Sequence, residues 1–215
     1  MSTKRKIPDN DGVYFITFTC FKWLPLFELT KGYDIVYKWF DHLKSKGNYI
    51  IGYVIMPNHV HALIGFLHSK VSINTIIGNG KRFMAYEIIT RLTEQKEISL
   101  LKELSDGVSK RDLKRGKLHE VFEESFDWKE CISDKFIDQK LDYMHANPCS
   151  GVWHLAQSPQ DYQHSSAKFY LTGTQGTYPV MHCSELKDVD LTSDNVDAES
   201  PCEARGRRSE DSARK

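Results

Sequence analysis

The chain has 215 residues, 40% hydrophobic and 27% charged, enough for one good-sized domain plus extensions and ordinary for a globular protein. No apolar run approaches the ~18 residues of a membrane-spanning helix. The charged start lacks the apolar core of a secretory signal, and five scattered cysteines (Cys20, Cys131, Cys149, Cys183, Cys202) hold no Cys-x-x-Cys pair, so a reducing cytoplasm is expected, without disulfides or a zinc knuckle. The zero net charge hides an asymmetry: residues 1–170 carry 23 basic and 20 acidic side chains, residues 171–215 carry 6 and 9.

Val13–Cys20 is rich in β-branched and aromatic residues and follows Asn10-Asp11-Gly12, so it reads as a strand. Thr30 is placed to cap a helix with apolar positions Tyr33, Val36, Tyr37, Phe40 and Leu43, ending at Gly47. Tyr49–Met56 reads as a second strand, turned by Pro57-Asn58 into a third, His59–Phe66. On that third strand Val60, Ala62, Ile64 and Phe66 share one face, while His59, His61, Leu63 and Gly65 share the other. Ser72 caps the next helix, where Ile73, Ile76, Ile77, Phe83, Met84 and Ile88 recur at helical spacing and Gly78 and Gly80 weaken the middle. Residues 95–117 read as a polar loop with a helical piece near Leu100–Leu104, and Leu118–Phe122 as a fourth strand. Ser133 caps a helix to Asn147, where Pro148 disfavours continuation; Ile137, Leu141 and Met144 form its apolar stripe and Tyr143 and Asn147 lie to one side. The order predicts an α+β, ferredoxin-like antiparallel sheet covered by helices. The expected division is a domain over 1–170 and a polar, largely disordered extension over 171–215, with Asp194–Lys215 nearly devoid of large apolar residues.

Two histidines two apart on a strand point to one side and can share a metal ion. Nine histidines in 215 residues make about 0.4 such pairs by chance, so the spacing alone does not establish a site. Tyr143 and Asn147, four apart on a helix, also share a side; by default the first is a packing residue and the second a helix cap. His119 and His145 are further candidate ligands, by default structural, and Glu123 and Glu124 candidate carboxylates that nothing distinguishes from a solvated pair. Lys110-Arg-Asp-Leu-Lys-Arg-Gly-Lys117, with five basic residues in eight, can engage phosphates and reads equally as a solvated loop.

The ordered set Met56-Pro-Asn-His-Val-His61, Phe126-Asp-Trp-Lys-Glu130, Tyr143-Met-His-Ala-Asn-Pro148, Gly151-Val152 and Asp161-Tyr-Gln-His-Ser-Ser-Ala167 resembles the single-tyrosine HUH transposases. Within them it looks most like the REP-associated tyrosine transposases, relatives of the 200/605 insertion-sequence group. The resemblance spans roughly Gly12 to Tyr170 and departs from those relatives at Cys149-Ser150, where they commonly carry Val and a basic residue. It implies the HUH nuclease fold, with His59, His61 and Asn147 as ligands of Mg²⁺ or Mn²⁺ and Tyr143 as the nucleophile. Tyr143 would join the 5′ phosphate of single-stranded DNA at hairpins of palindromic repeats and free a 3′ hydroxyl. It further implies a bacterial cytoplasmic protein, nucleoid-associated when bound to DNA, acting as monomer or homodimer without a small-molecule cofactor. Lys81, Arg82, Lys110, Arg111, Lys114, Arg115 and Lys117 are the candidate DNA-backbone contacts. Two rival functions remain: a domesticated hairpin-binding protein without turnover, and a metal-dependent phosphodiesterase using activated water, with Tyr143 structural.

Overall fold

The computed structural model describes residues 6–151 and 153–193; Val152 and the run 194–215, with Cys202 and its expected disorder, lie outside the described residues. In chain order the elements are β1 (Gly12–Thr19), a single-turn α1 (Leu26–Leu29), α2 (Tyr33–Ser45), β2 (Tyr49–Ile55), β3 (His59–Phe66), α3 (Ile73–Glu94), α4 (Ile98–Asp106), α5 (Lys110–Leu113), β4 (Asp127–Glu130), α6 (Asp134–Ala146) and α7 (Ala167–Thr172), joined in places by short 3₁₀ turns.

The four strands form one antiparallel sheet in the order β2-β3-β1-β4. β1 and β2 are therefore joined by a helical crossover with β3 inserted between them, the split arrangement expected from the strand-helix-strand-strand order. The two faces of β3 go to two cores. Val60, Ala62, Ile64 and Phe66 pack with Val36, Phe40, Ile77, Met84 and Ile88 from α2 and α3. Leu63 faces Phe15, Ile51 and Val54 under Ile137, Leu141 and Met144 of α6. His59 and His61 belong to this second face, where β1 sets Thr19 and Thr17 opposite them. Ser72 and Ser133 cap α3 and α6 as expected, accepting from the backbone amides of Thr75 and Phe136. Among the described residues no helix is long and apolar enough to cross a membrane, and the four cysteines are free.

Several expectations are corrected. Thr30 does not cap α2: its hydroxyl donates back to the Leu26 carbonyl and closes α1, and Gly32 precedes α2 without a side-chain cap. Residues 95–117 are largely helical, as α4 and α5, because Leu104 finds a fully buried place despite its polar surroundings. Leu118–Phe122 contributes only an isolated bridge between Phe122 and Cys20; Leu118 is exposed. The fourth strand is instead Asp127–Glu130, whose charged residues hide the period-2 pattern because it lies at the sheet edge. Phe83, expected in the core, is exposed. Finally, the domain does not stop at 170. Tyr178 and Val180 are buried against α2 and β2, the Met181 amide donates to the Ile50 carbonyl, and Leu186 enters the second core. These apolar residues are spaced too irregularly to show a period, yet they cover the β2 edge.

Candidate active site

His59 and His61 are both buried, with ring centroids 4.8 Å apart. Each uses Nδ1 on a neighbour: His59 on Asn58 Oδ1 at 2.7 Å, His61 on the Thr17 hydroxyl at 2.6 Å. The Asn58 amide oxygen can only accept, so His59 donates Nδ1–H to it and keeps the Nε2 lone pair for another ligand; His61 has the same free lone pair in the tautomer that donates Nδ1–H to Thr17, the arrangement by which second-shell groups orient metal-binding histidines. Burial holds the His59 imidazolium down to about 4. Burial, then the charges of His59 and Lys140, holds His61 down to about 3. Both rings are thus neutral near pH 7.

α6 crosses this face and brings Tyr143 to the histidines. Its ring lies edge-on to His61 at 5.4 Å and to Phe15 at 6.1 Å, yet the residue is 54% exposed, so the off-stripe position leaves a phenol accessible beside the imidazoles. The Asn147 amide nitrogen donates to the Tyr143 carbonyl at 2.9 Å, which leaves its amide oxygen without a protein partner among the described residues. His59, His61, Tyr143 and Asn147 line a single cavity of about 800 Å³. Among the described residues no cluster of three or more His, Cys, Asp or Glu side chains is built to hold a metal ion. Two neutral imidazoles and one amide oxygen nonetheless fit a divalent cation that keeps open positions.

The cavity also contains residues that the sequence did not single out. Lys140, one turn before Tyr143, sets its ammonium 5.2, 5.0 and 5.7 Å from the ring centres of Phe15, Phe136 and Tyr143, and among the described residues it has no acidic partner. Asp127 and Trp23 line the cavity too. Helical spacing could have flagged Lys140 on the tyrosine's side of α6; Asp127 lies within the quoted Phe126–Glu130 block, without a role assigned to it, and nothing local pointed to Trp23.

The remaining expected contacts lie elsewhere. His145 is buried on the far side of α6, with Nε2 2.8 Å from the Ser166 hydroxyl. Glu123 accepts from the Lys22 amide and Glu124 pairs with Arg111, and neither these nor His119 lines the cavity. Lys81 donates its amine to the Glu123 and Ser125 carbonyls, and burial, then Lys117, pushes that amine down to about 8. It ties a loop down rather than facing outward. Arg82 lies over Phe83. In the basic strip Arg111 pairs with Glu124 and Asp112, Lys117 with Glu120, and Arg115 loosely with Asp112; Lys110 and Lys114 are exposed and outside the cavity. The strip's excess of charge is largely matched by local acids.

No protein-family model matches the chain, and no curated protein does. Among solved structures, a REP-associated tyrosine transposase bound to a REP hairpin is similar at 15% identity over 90% of this chain and 94% of that one, with a TM-score of 0.51. A putative transposase from Deinococcus radiodurans matches at 18% identity over 66% of this chain and 95% of that one, with a TM-score of 0.39. At such identities the likeness is one of architecture, and this chain has the fold of the REP-associated tyrosine transposase.

Proposed function

We propose that the protein is a metal-dependent single-strand DNA endonuclease and transposase that cuts and rejoins DNA at palindromic-repeat hairpins through Tyr143. The observation that carries this reading is the meeting of Tyr143 and Asn147 with His59 and His61 in one cavity, from elements some 80 residues apart in sequence. A phenol held half-exposed beside two neutral, pre-oriented imidazoles is a poor packing choice and a good nucleophile site. The motif set and the shared fold support the class; the hairpin in the related structure supports the substrate.

In this mechanism His59, His61 and Asn147 would hold Mg²⁺ or Mn²⁺. The bound ion would polarise the phosphoryl oxygens and neutralise charge that develops on them. Tyr143 Oη attacks the scissile phosphorus as its proton leaves; the new bond is to the 5′ phosphate, and the 3′ oxygen departs and takes up a proton. Lys140, whose ammonium lies beside the Tyr143 ring, meets a non-bridging oxygen of the same phosphate. The phosphotyrosine keeps the bond energy, so religation by a 3′ hydroxyl needs no ATP.

The test is a denaturing-gel search for a covalent protein–DNA adduct, using wild type and Tyr143→Phe with Mn²⁺ or Mg²⁺ and single strands covering the palindromes that flank the gene. An adduct in wild type alone is expected. Cleavage by both proteins without adduct would replace the tyrosine by activated water, and hairpin binding without cleavage in either would leave a DNA-binding protein.

A further inference from the structure

Trp23 is 62% exposed, whereas Trp39 is buried and Trp128 and Trp153 are half-buried. It lies in the 3₁₀ turn Phe21–Trp23 that follows β1, at the wall of the cavity that holds Tyr143. Its indole stands edge-on to His59, with centroids 5.8 Å apart and planes at 69°.

The backbone that presents it is strained and pinned. Lys22 (φ 50°) and Trp23 (φ 59°) are consecutive non-glycine residues in the left-handed region, a conformation that persists only where its surroundings over-determine it. The Lys22 amide donates to Glu123 Oε1 at 2.9 Å and its amine to Glu103 at 3.0 Å, while the Trp23 amide donates to the Cys20 carbonyl at 3.0 Å. Asn58 completes the frame. Buried between the two, it donates Nδ2–H to the Trp23 carbonyl at 3.1 Å and uses Oδ1 on His59 Nδ1. One side chain therefore holds both the imidazole and the backbone that carries the indole, and the exposed ring covers little of the protein's own core.

We propose that Trp23 is a stacking platform for an unpaired nucleobase of single-stranded DNA, next to the phosphate at Tyr143. The proposal rests on the nuclease reading for its substrate. A flat π face accepts any base and suits an unpaired strand, and Lys140 across the cavity supplies the charge its backbone needs. Trp23 fixes where the base goes, and Asn58 keeps that point in register with the histidines.

The test needs no catalysis: binding of fluorescein-labelled oligothymidylate to the full chain in EDTA, followed by anisotropy, beside the same strand with its bases removed. One base on one ring is worth roughly five- to 150-fold in affinity, so Trp23→Ala and Trp23→Leu should weaken oligothymidylate binding by that factor. Trp23→Phe should stay within about two-fold, thermal midpoints should match wild type, and the difference should vanish on the abasic strand. Equal affinities of wild type and Trp23→Ala overturn the proposal, as do an equal loss on the abasic strand and failure of wild type to bind. Trp23-dependent binding with no adduct on any strand would sink the nuclease reading and leave the platform standing; an adduct indifferent to Trp23 would do the reverse.

Discussion

Single side chains decide how the site is tuned. The Thr17 hydroxyl at 2.6 Å from His61 Nδ1 fixes the orientation of that imidazole, so Thr17→Val keeps the side-chain shape and loses the hydrogen bond. Mn²⁺ affinity should fall about ten- to hundred-fold, the usual effect of losing a second-shell partner; electron paramagnetic titration of Mn²⁺ measures it, and an unchanged Kd would refute the role. Lys140→Ala should slow adduct formation by roughly 100-fold, as for removal of a donor to a developing oxyanion. It should also lower the salt slope of DNA binding by about one, with Lys140→Arg restoring part of both. At this scale the legible part of the site was the His59-x-His61 spacing, because alternation along a strand is a local property. Thr17 and Trp23 were not legible, since only strand pairing and turn geometry bring them to the histidines.

Elements fit together where small residues and ion pairs allow it. In α3 a Cβ on Gly80 would lie 2.3 Å from Trp39 Nε1 and 2.8 Å from two more ring atoms, so α2 and α3 approach closely only with glycine there. Gly80→Ala should lower stability by about 1–3 kcal/mol through this clash, whereas Gly78→Ala, with nothing within 4 Å, should gain up to about 1 kcal/mol from helix propensity. Urea unfolding of the pair tests both signs. The same two helices are joined by Arg91, which grips both oxygens of Asp34 at 2.8 Å and holds Glu87. Hydrogen bonding from Arg91 brings the Asp34 carboxyl down to about 2. Because the folded value is below the unfolded one, the stabilisation is complete above about pH 4 and is lost as pH falls towards 2. Asp34 is 46% exposed, so screening limits the effect to about 1 kcal/mol. Thermal midpoints between pH 2 and 6 should show an acid limb that Arg91→Met flattens and salt weakens. Both helices were legible from their period, but the contact between them was not, because a glycine that admits a tryptophan looks locally like a helix breaker.

At the scale of the whole molecule, the stretch after residue 170 belongs to the domain. Tyr178 is buried against Tyr37, Phe40 and Tyr53, stacked on Tyr37 at 5.3 Å, and its hydroxyl donates to Asp41 at 2.8 Å. Tyr178→Ala should cost about 3–5 kcal/mol, and ending the chain at 170 should cost more, seen as a large drop in thermal midpoint; a 1–170 fragment as stable as the full chain would contradict this packing. By itself the sequence determined the α+β class, the hairpin that carries the two histidines and the helix that offers Tyr143 and Asn147, since these follow from period, capping and spacing along the chain. Only the tertiary structure decided that histidines and tyrosine share a cavity and that β4 is Asp127–Glu130. Those outcomes depend on contacts between residues distant in sequence, whose burial and pairing no local pattern records.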